Sequence, residues 1–162
     1  MLTGVLDSNG IIGLAKGGVF ALLTSLYATL YVPPAVVQEV MVQGQGRPGA
    51  AELAQALGAW ITQAAPDPVI VQQFPTTLSL ADREVLALAR EHAVHYLVSG
   101  DEGLRQQAIP YGLSCLRASE VVVLLKAQGL IPAVKPVLDQ MRQGTFGISS
   151  AVYQQALQAA GE

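Results

Sequence analysis

The sequence has little charge, few aromatic residues and almost no cysteine. Its 162 residues include one cysteine, two histidines and one tryptophan, and only 13% of them are charged, against about 25% in an average soluble domain. The single Cys115 excludes an internal disulfide and favours a reducing compartment, so we expect a cytoplasmic protein. His92 and His95 have no third ligand at zinc spacing, and we expect structural roles for both.

The scarcity of charge also bears on partners. The net charge is −3, from 9 basic and 12 acidic side chains, so no basic excess indicates nucleic acid. Because few charges cover the surface, we predict a homodimer or a higher homo-oligomer.

Residues 17–37 carry no charge and are long enough to span a bilayer. They include Pro33 and Pro34 and change from a helical to a strand pattern, so we predict buried core and no membrane span.

Strand and helix patterns alternate along the chain. Short apolar runs that predict strands occupy residues 3–6, 30–32, 94–98 and 113–116. Alternation of this kind predicts an α/β fold with a mainly parallel sheet flanked by helices. We expect one domain over residues 1–162, with a core of about residues 1–130 and a helical extension over about residues 131–162.

The clearest pattern lies between residues 78 and 101. Ser79 stands three residues before Asp82, an arrangement that predicts a helix beginning there. The predicted strand at residues 94–98 follows this helix and leads to Asp101. A helix of about eleven residues extends about 16 Å away from its starting edge of the fold, and a strand of about six residues returns about 20 Å toward that edge. We therefore expect Asp82 and Asp101 at the same edge of the fold.

Four acidic residues are expected to meet at that edge, just beyond the carboxyl ends of the strands. They are Asp7, Glu39, Asp82 and Asp101. Converging carboxylates repel one another and raise their own pKa values. A divalent cation that prefers oxygen ligands, Mg²⁺ or Mn²⁺, relieves this repulsion. Each aspartate also precedes a helix, so helix capping is an alternative role for each, and the two roles are compatible.

Polar residues close to these acids are candidates for supporting roles. Ser8 directly follows Asp7, and Ser99 lies two residues before Asp101. Both serines stand at predicted strand ends, so the alternative role of each is to terminate its strand. Glu84 lies two residues past Asp82, on a different face of the helix, which favours a supporting or solvent-facing position. Lys16 and Arg47 are the basic residues that flank Glu39 in the sequence. Lys16 is a candidate to offset the acids and Arg47 a candidate to contact phosphate.

The order of these residues resembles the PIN domain. Asp7 follows the first strand, Glu39 stands behind a proline pair, and Asp82 opens a Val-Leu-Ala-Leu-Ala helix. Ser99-Gly100-Asp101 follows the next strand. Flanking segments at residues 14–16, 46–50 and 129–136 extend the resemblance over nearly the whole chain, and it is closest to an uncharacterised prokaryotic PIN subfamily.

Members of that family are metal-dependent ribonucleases, and many bacterial members resemble VapC-type toxins of toxin–antitoxin pairs. The resemblance implies a Rossmann-like sheet and hydrolysis of RNA by one or two Mg²⁺ or Mn²⁺ ions. It makes RNA the expected substrate, Lys16 and Arg47 candidate RNA contacts, and an antitoxin protein a candidate partner. The implied catalytic metal ligands are Asp7, Glu39, Asp82 and Asp101.

Three positions depart from the subfamily pattern. Gly10 stands where a proline is usual, Asp82 where a glutamate is usual, and Gly100 where a second aspartate is frequent. The missing acid at Gly100 leaves an alternative open, a catalytically inactive PIN-like module that binds RNA or a protein. Response receivers and haloacid-dehalogenase-like hydrolases fit poorly, because residues 7–9 read Asp-Ser-Asn, which is neither an acidic pair nor Asp-x-Asp.

Overall fold

A five-stranded parallel sheet forms the centre of the protein. The computed structural model describes residues 1–162, and its strands are β1 (Leu2–Leu6), β2 (Tyr27–Val32), β3 (Ile61–Gln63), β4 (Tyr96–Val98) and β5 (Cys115–Leu116). They lie in the order β3-β2-β1-β4-β5, and every neighbouring pair is parallel. The predicted α/β fold with a mainly parallel sheet is confirmed.

Helices provide the crossovers that a parallel sheet requires. The α-helices are α1 (Ser8–Lys16), α2 (Pro34–Val37), α3 (Ala50–Ala56), α4 (Pro68–Val71), α5 (Leu80–Glu91), α6 (Glu102–Ala108), α7 (Ala118–Ala127), α8 (Lys135–Met141) and α9 (Ser150–Ala159). Phe20–Ser25 and Ile109–Tyr111 are 3₁₀-helices, and Gln38–Gln43 is a π-helical turn. None of these helices has both the length and the apolar character that crossing a bilayer requires.

The core covers both faces of the sheet. Val5 and Leu6 in β1, and Leu97 and Val98 in β4, are all at most 1% exposed. Successive strand residues point to opposite faces, so burial of both members of each pair means that both faces are packed. Residues 85–89 in the middle of α5 are likewise all buried, and α5 packs against β1 and β4.

The two C-terminal helices pack onto the rest of the fold. Helix α8 contacts α1, and α9 contacts α7. The Glu162 carboxylate accepts hydrogen bonds from the Lys126 ammonium at 2.9 Å and from the Val134 amide at 2.7 Å. These contacts hold the C-terminal residue against α7 and the start of α8.

Strand β4 is shorter than the sequence pattern predicts. The apolar run at residues 94–98 suggested five strand residues, but pairing begins only at Tyr96. Ala93 has a φ of 48°, and the Val94 amide donates to the Ala89 carbonyl at 3.2 Å. Residues 93 and 94 therefore complete the end of α5, where a left-handed residue is a common helix terminator.

The strand order reverses between β1 and β4, because β2 and β3 extend the sheet on one side of β1 while β4 and β5 extend it on the other. In open parallel sheets, ligands bind beyond the carboxyl ends of the strands at such a reversal. Asp7 follows β1 directly, and Ser99, Gly100 and Asp101 follow β4 directly. The fold thus places two predicted site segments side by side.

Helix α1 begins close to β4, and Gly10 makes this approach possible. A Cβ atom at Gly10 would collide with the carbonyl oxygen of Val98. The glycine therefore sets how near the start of α1 lies to the end of β4.

We expect Gly10→Ala to lower the free energy of unfolding by about 1–3 kcal/mol, the usual cost of overpacking a filled site. Urea denaturation measures this change. Gly147→Ala is the control, because a Cβ atom there meets no heavy atom within 4 Å and should change stability by less than about 0.5 kcal/mol. Equal stability of the wild type and Gly10→Ala would refute the packing constraint.

Candidate active site

One cavity at the carboxyl edge of the sheet is lined by all four predicted acids, Asp7, Glu39, Asp82 and Asp101. Its volume is about 240 Å³. The acids come from four separate segments, the ends of β1 and β4, the π-helical turn after α2, and the first turn of α5. The structure therefore brings together side chains that are as far as 94 residues apart in the sequence.

Asp7 is the most buried of these acids, with 6% of its surface exposed. It caps α1, and its Oδ1 accepts a hydrogen bond from the Gly10 amide at 2.7 Å. Burial raises the pKa of the Asp7 carboxyl from 3.8 to about 7. The Ser99 hydroxyl and the Gly10 amide oppose this shift in the pKa, whereas the charges of Asp82 and Asp101 add to it.

Glu39 reaches the cavity from a π-helical turn. Pro34 opens α2 at a position where a helix tolerates proline, and α2 continues into the turn Gln38–Gln43. π-helical turns are rare in proteins, and those that occur often lie at functional sites. The Ser8 hydroxyl donates to Glu39 Oε2 at 2.6 Å. Ser8 therefore ties the start of α1 to Glu39.

Asp82 and Asp101 both stand at helix starts. Ser79 caps α5 by accepting from the Asp82 amide at 3.1 Å, as the sequence predicts. Burial raises the pKa of Asp82, the Asp101 and Glu39 charges raise it further, and Ser79 lowers it. Asp101 is exposed and caps α6, with its Oδ1 accepting from the Gly103 amide at 2.8 Å. Capping is thus an observed role of Asp101, whereas Asp82 lies within the first turn of α5 and does not cap it, contrary to the alternative that the sequence suggested.

Ser99 and Glu84, the other predicted supporting residues, both accept hydrogen bonds from backbone amides. Ser99 is fully buried, and its Oγ accepts from the Asp101 amide at 3.0 Å. Glu84 does not line the acid cavity. Its Oε2 accepts from the Ala35 amide at 3.1 Å and so holds the start of the helix that leads to Glu39.

Asn9 is a site residue that the sequence pattern did not single out. It lines the acid cavity, and its Oδ1 accepts from the Gly100 amide at 2.8 Å. This hydrogen bond joins the turn after β1 to the turn after β4. A Cβ atom at Gly100 would lie 2.6 Å from Asn9 Oδ1, so an aspartate at position 100 would displace Asn9. The only sequence signal was the position of Asn9 in the polar triplet that ends β1.

The donor set of this cavity fits a hard divalent cation in its chemistry. All four acidic groups offer carboxylate oxygens, the ligands that Mg²⁺ and Mn²⁺ prefer. Glu39 and Asp101 each accept a hydrogen bond through one oxygen, which leaves the other available. No three Asp, Glu, His or Cys side chains are arranged to hold a metal ion as they stand, so a site with three protein ligands would require movement of side chains.

The two candidate RNA contacts lie in a second, adjoining cavity. Lys16 and Arg47 line a space of about 490 Å³ that shares Ser8 and Glu39 with the acid cavity. The Lys16 ammonium donates to the Gln143 carbonyl. This second cavity is also lined by Thr145 and Phe146, from a glycine-containing loop between α8 and α9 that sequence reasoning did not connect with the site.

A match to a protein family agrees with this architecture. A family model described as a PIN domain matches residues 3–162. No curated protein matches the chain in sequence. Among solved structures, a domain of a functionally unknown protein from Methanocaldococcus jannaschii is similar to the chain, with 18% identity and a TM-score of 0.47, over 72% of this chain and 91% of that one. The resemblance noted in the sequence is confirmed by the family match.

We expect Asp7→Asn to stabilise the metal-free protein at neutral pH. A carboxyl whose pKa is about 7 in the folded state and about 3.8 in the unfolded state binds more protons when folded. The stability of the wild type therefore falls as the pH rises from about 3.8 to about 7. Asparagine does not titrate, so its advantage should grow from about pH 4 to about pH 7, to at most about 4 kcal/mol.

Thermal denaturation in EDTA between pH 4 and pH 8 measures this difference. Asp67→Asn is the control, because Asp67 also caps a helix, with its Oδ1 2.9 Å from the Val69 amide, but is exposed. A stability difference between wild type and Asp7→Asn that does not change with pH would contradict the prediction.

Proposed function

The chain belongs to the PIN domain family, and we propose that it is a metal-dependent endoribonuclease that hydrolyses RNA phosphodiesters at the acid cavity. The observation that supports this proposal most is the convergence of Asp7, Glu39, Asp82 and Asp101 in one cavity at the strand-order reversal. An all-carboxylate cavity of this kind is suited to hold Mg²⁺ or Mn²⁺.

The charge of the cavity explains why such an enzyme would require a cation. Four carboxylates repel the phosphate of an approaching RNA. Burial raises the pKa values of Asp7 and Asp82, and repulsion by the neighbouring carboxylates raises them further. Bound Mg²⁺ or Mn²⁺ would neutralise this charge, polarise the scissile phosphate and activate the attacking water. We propose all four acids as the ligands.

The hydrogen bonds around the acids would fix their positions for this task. The Gly10 amide holds one oxygen of Asp7, and the Ser8 hydroxyl holds one oxygen of Glu39. Three of the acids also stand at or near helix N-termini, whose partial positive charge favours the carboxylate form. These contacts orient the donors and oppose the cost of ionising them, while Ser99 positions the backbone of Asp101.

A second candidate function, a catalytically inactive PIN-like module that binds RNA or a protein, rests on a specific observation. No three acidic side chains are arranged to hold a metal ion, and Gly100 supplies no further acid. Cation binding separates the two candidates, since the inactive module needs no complete metal site.

We expect the wild type to bind Mn²⁺ in a calorimetric titration and to cleave single-stranded RNA in Mn²⁺ but not in EDTA. Asp101→Asn should lose measurable Mn²⁺ binding and at least about 10- to 100-fold of the cleavage rate, since even residues that only support metal ligands typically contribute this much. Calorimetry and gel-resolved cleavage of a labelled RNA provide the two readouts.

Asp67→Asn is again the matched control, because Asp67 and Asp101 cap their helices in the same way, through Oδ1 and the amide two residues on. It should bind Mn²⁺ and cleave RNA like the wild type. Cleavage that persists in Asp101→Asn or in EDTA would contradict the proposed mechanism. RNA binding without any cleavage by the wild type would favour the inactive module.

A role as the toxin of a toxin–antitoxin pair is the finer part of this proposal, and the antitoxin partner stays a prediction. A ribonuclease toxin expressed alone should arrest bacterial growth, and Asp7→Asn expressed to the same level should not. Growth curves of cells carrying each form under an inducible promoter measure the effect. Unaffected growth with the wild type, or equal arrest by both forms, would contradict the toxin role.

A further inference from the structure

We propose that the cavity beside the acids holds a neighbouring nucleotide of single-stranded RNA, with Arg47 contacting a phosphate and the Phe146 ring stacking on a base. This inference rests on the proposed ribonuclease function and assigns the substrate-positioning surface next to its site.

The two cavities adjoin each other. The second measures about 490 Å³ and shares Ser8 and Glu39 with the acid cavity. Its volume lies within the range of about 300–1,000 Å³ that is usual for ligand sites. A strand whose scissile phosphate lay at the acids would therefore reach this second cavity with its adjoining nucleotide.

The charge changes sign from one cavity to the other. No basic residue lines the acid cavity, whereas Lys16 and Arg47 line the second. Lys16 is engaged with the Gln143 carbonyl, but the exposed Arg47 guanidinium makes no hydrogen bond or ion pair within the protein. Arg47 is thus the cation that remains available to a phosphate, and its planar donors suit phosphate oxygens.

Phe146 provides an aromatic surface beside that cation. It is only partly buried and lines the second cavity. Its ring lies against α1 at Gly13, where a Cβ atom would be 2.5 Å from Phe146 Cζ. The Lys16 ammonium is 5.9 Å from the centre of the ring. A basic groove with an aromatic platform is the combination that binds single-stranded nucleic acid without strict sequence preference.

Two variants test these roles separately. Fluorescence anisotropy with a labelled six-nucleotide oligouridylate, in EDTA across a range of salt concentrations, measures binding apart from cleavage. Arg47→Gln should weaken binding severalfold and reduce the slope of log K against log salt by about 0.7, the loss expected for one phosphate contact on a single strand. Phe146→Leu should weaken binding about 5- to 100-fold, the effect of one lost base stack, without changing the salt slope.

Control variants keep the test specific. Arg90→Gln removes an arginine that pairs with Gln73, and Trp60→Leu removes a partly buried ring next to edge strand β3. Neither residue lines the two cavities, and both variants should bind RNA like the wild type. Leucine at position 146 retains apolar contact with α1, and thermal denaturation verifies that each variant is folded.

Cleavage in Mn²⁺ separates failure of this inference from failure of the proposed function. We expect both variants to raise KM several-fold while kcat changes less than about threefold. If the wild type cleaves RNA and Arg47→Gln and Phe146→Leu match it in affinity, salt slope and KM, the nucleotide site is refuted while the ribonuclease function stands. If the wild type neither binds nor cleaves RNA, both proposals are wrong.

Discussion

Burial of the Asp7 carboxyl at the end of β1 is the constraint on which the rest of the site depends. The central strand delivers this acid to a position that is 6% exposed, where its ionised form is disfavoured. An apolar residue would be more stable at this position, because burying an ionised carboxyl without compensating interactions costs free energy. The neighbouring structure supplies only part of that compensation, through the Gly10 amide and Ser99.

The fold compensates further through helix starts. Asp7 and Asp101 cap α1 and α6, and Asp82 lies in the first turn of α5. Each helix contributes a favourable dipole end to a carboxylate, and α1 and α6 also donate backbone amides to Asp7 and Asp101. Capping and cation binding are therefore not competing explanations. The caps fix the directions of the Asp7 and Asp101 side chains, and the carboxylate oxygens that the caps leave free are what a cation would use.

The sequence alone predicted the parts of this arrangement that follow from strand ends. Parallel strands finish at one edge, so Asp7, Asp82 and Asp101 were expected to meet, and the structure places them in one cavity. The short β4 was not predicted, because the end of α5 extends through Ala93 in a left-handed conformation. The position of Phe146 beside Lys16 was not predicted either, because it depends on how the loop after α8 packs against Gly13. Such contacts leave no periodic signal in a sequence.

Gly100 shows how a structure changes the interpretation of a departure from a family pattern. In the sequence it appears as a lost carboxylate. In the structure its amide donates to Asn9, and a side chain there would displace Asn9 from the cavity. With Gly100 and Asn9, the site has a hydrogen bond between the turns after β1 and β4 in place of a further negative charge. Without a fifth acid the total repulsion in the cavity is lower, and the hydrogen bond holds the turns of Asp7 and Asp101 together. Gly100 and Asn9 therefore act as a matched pair that shapes the acid cavity.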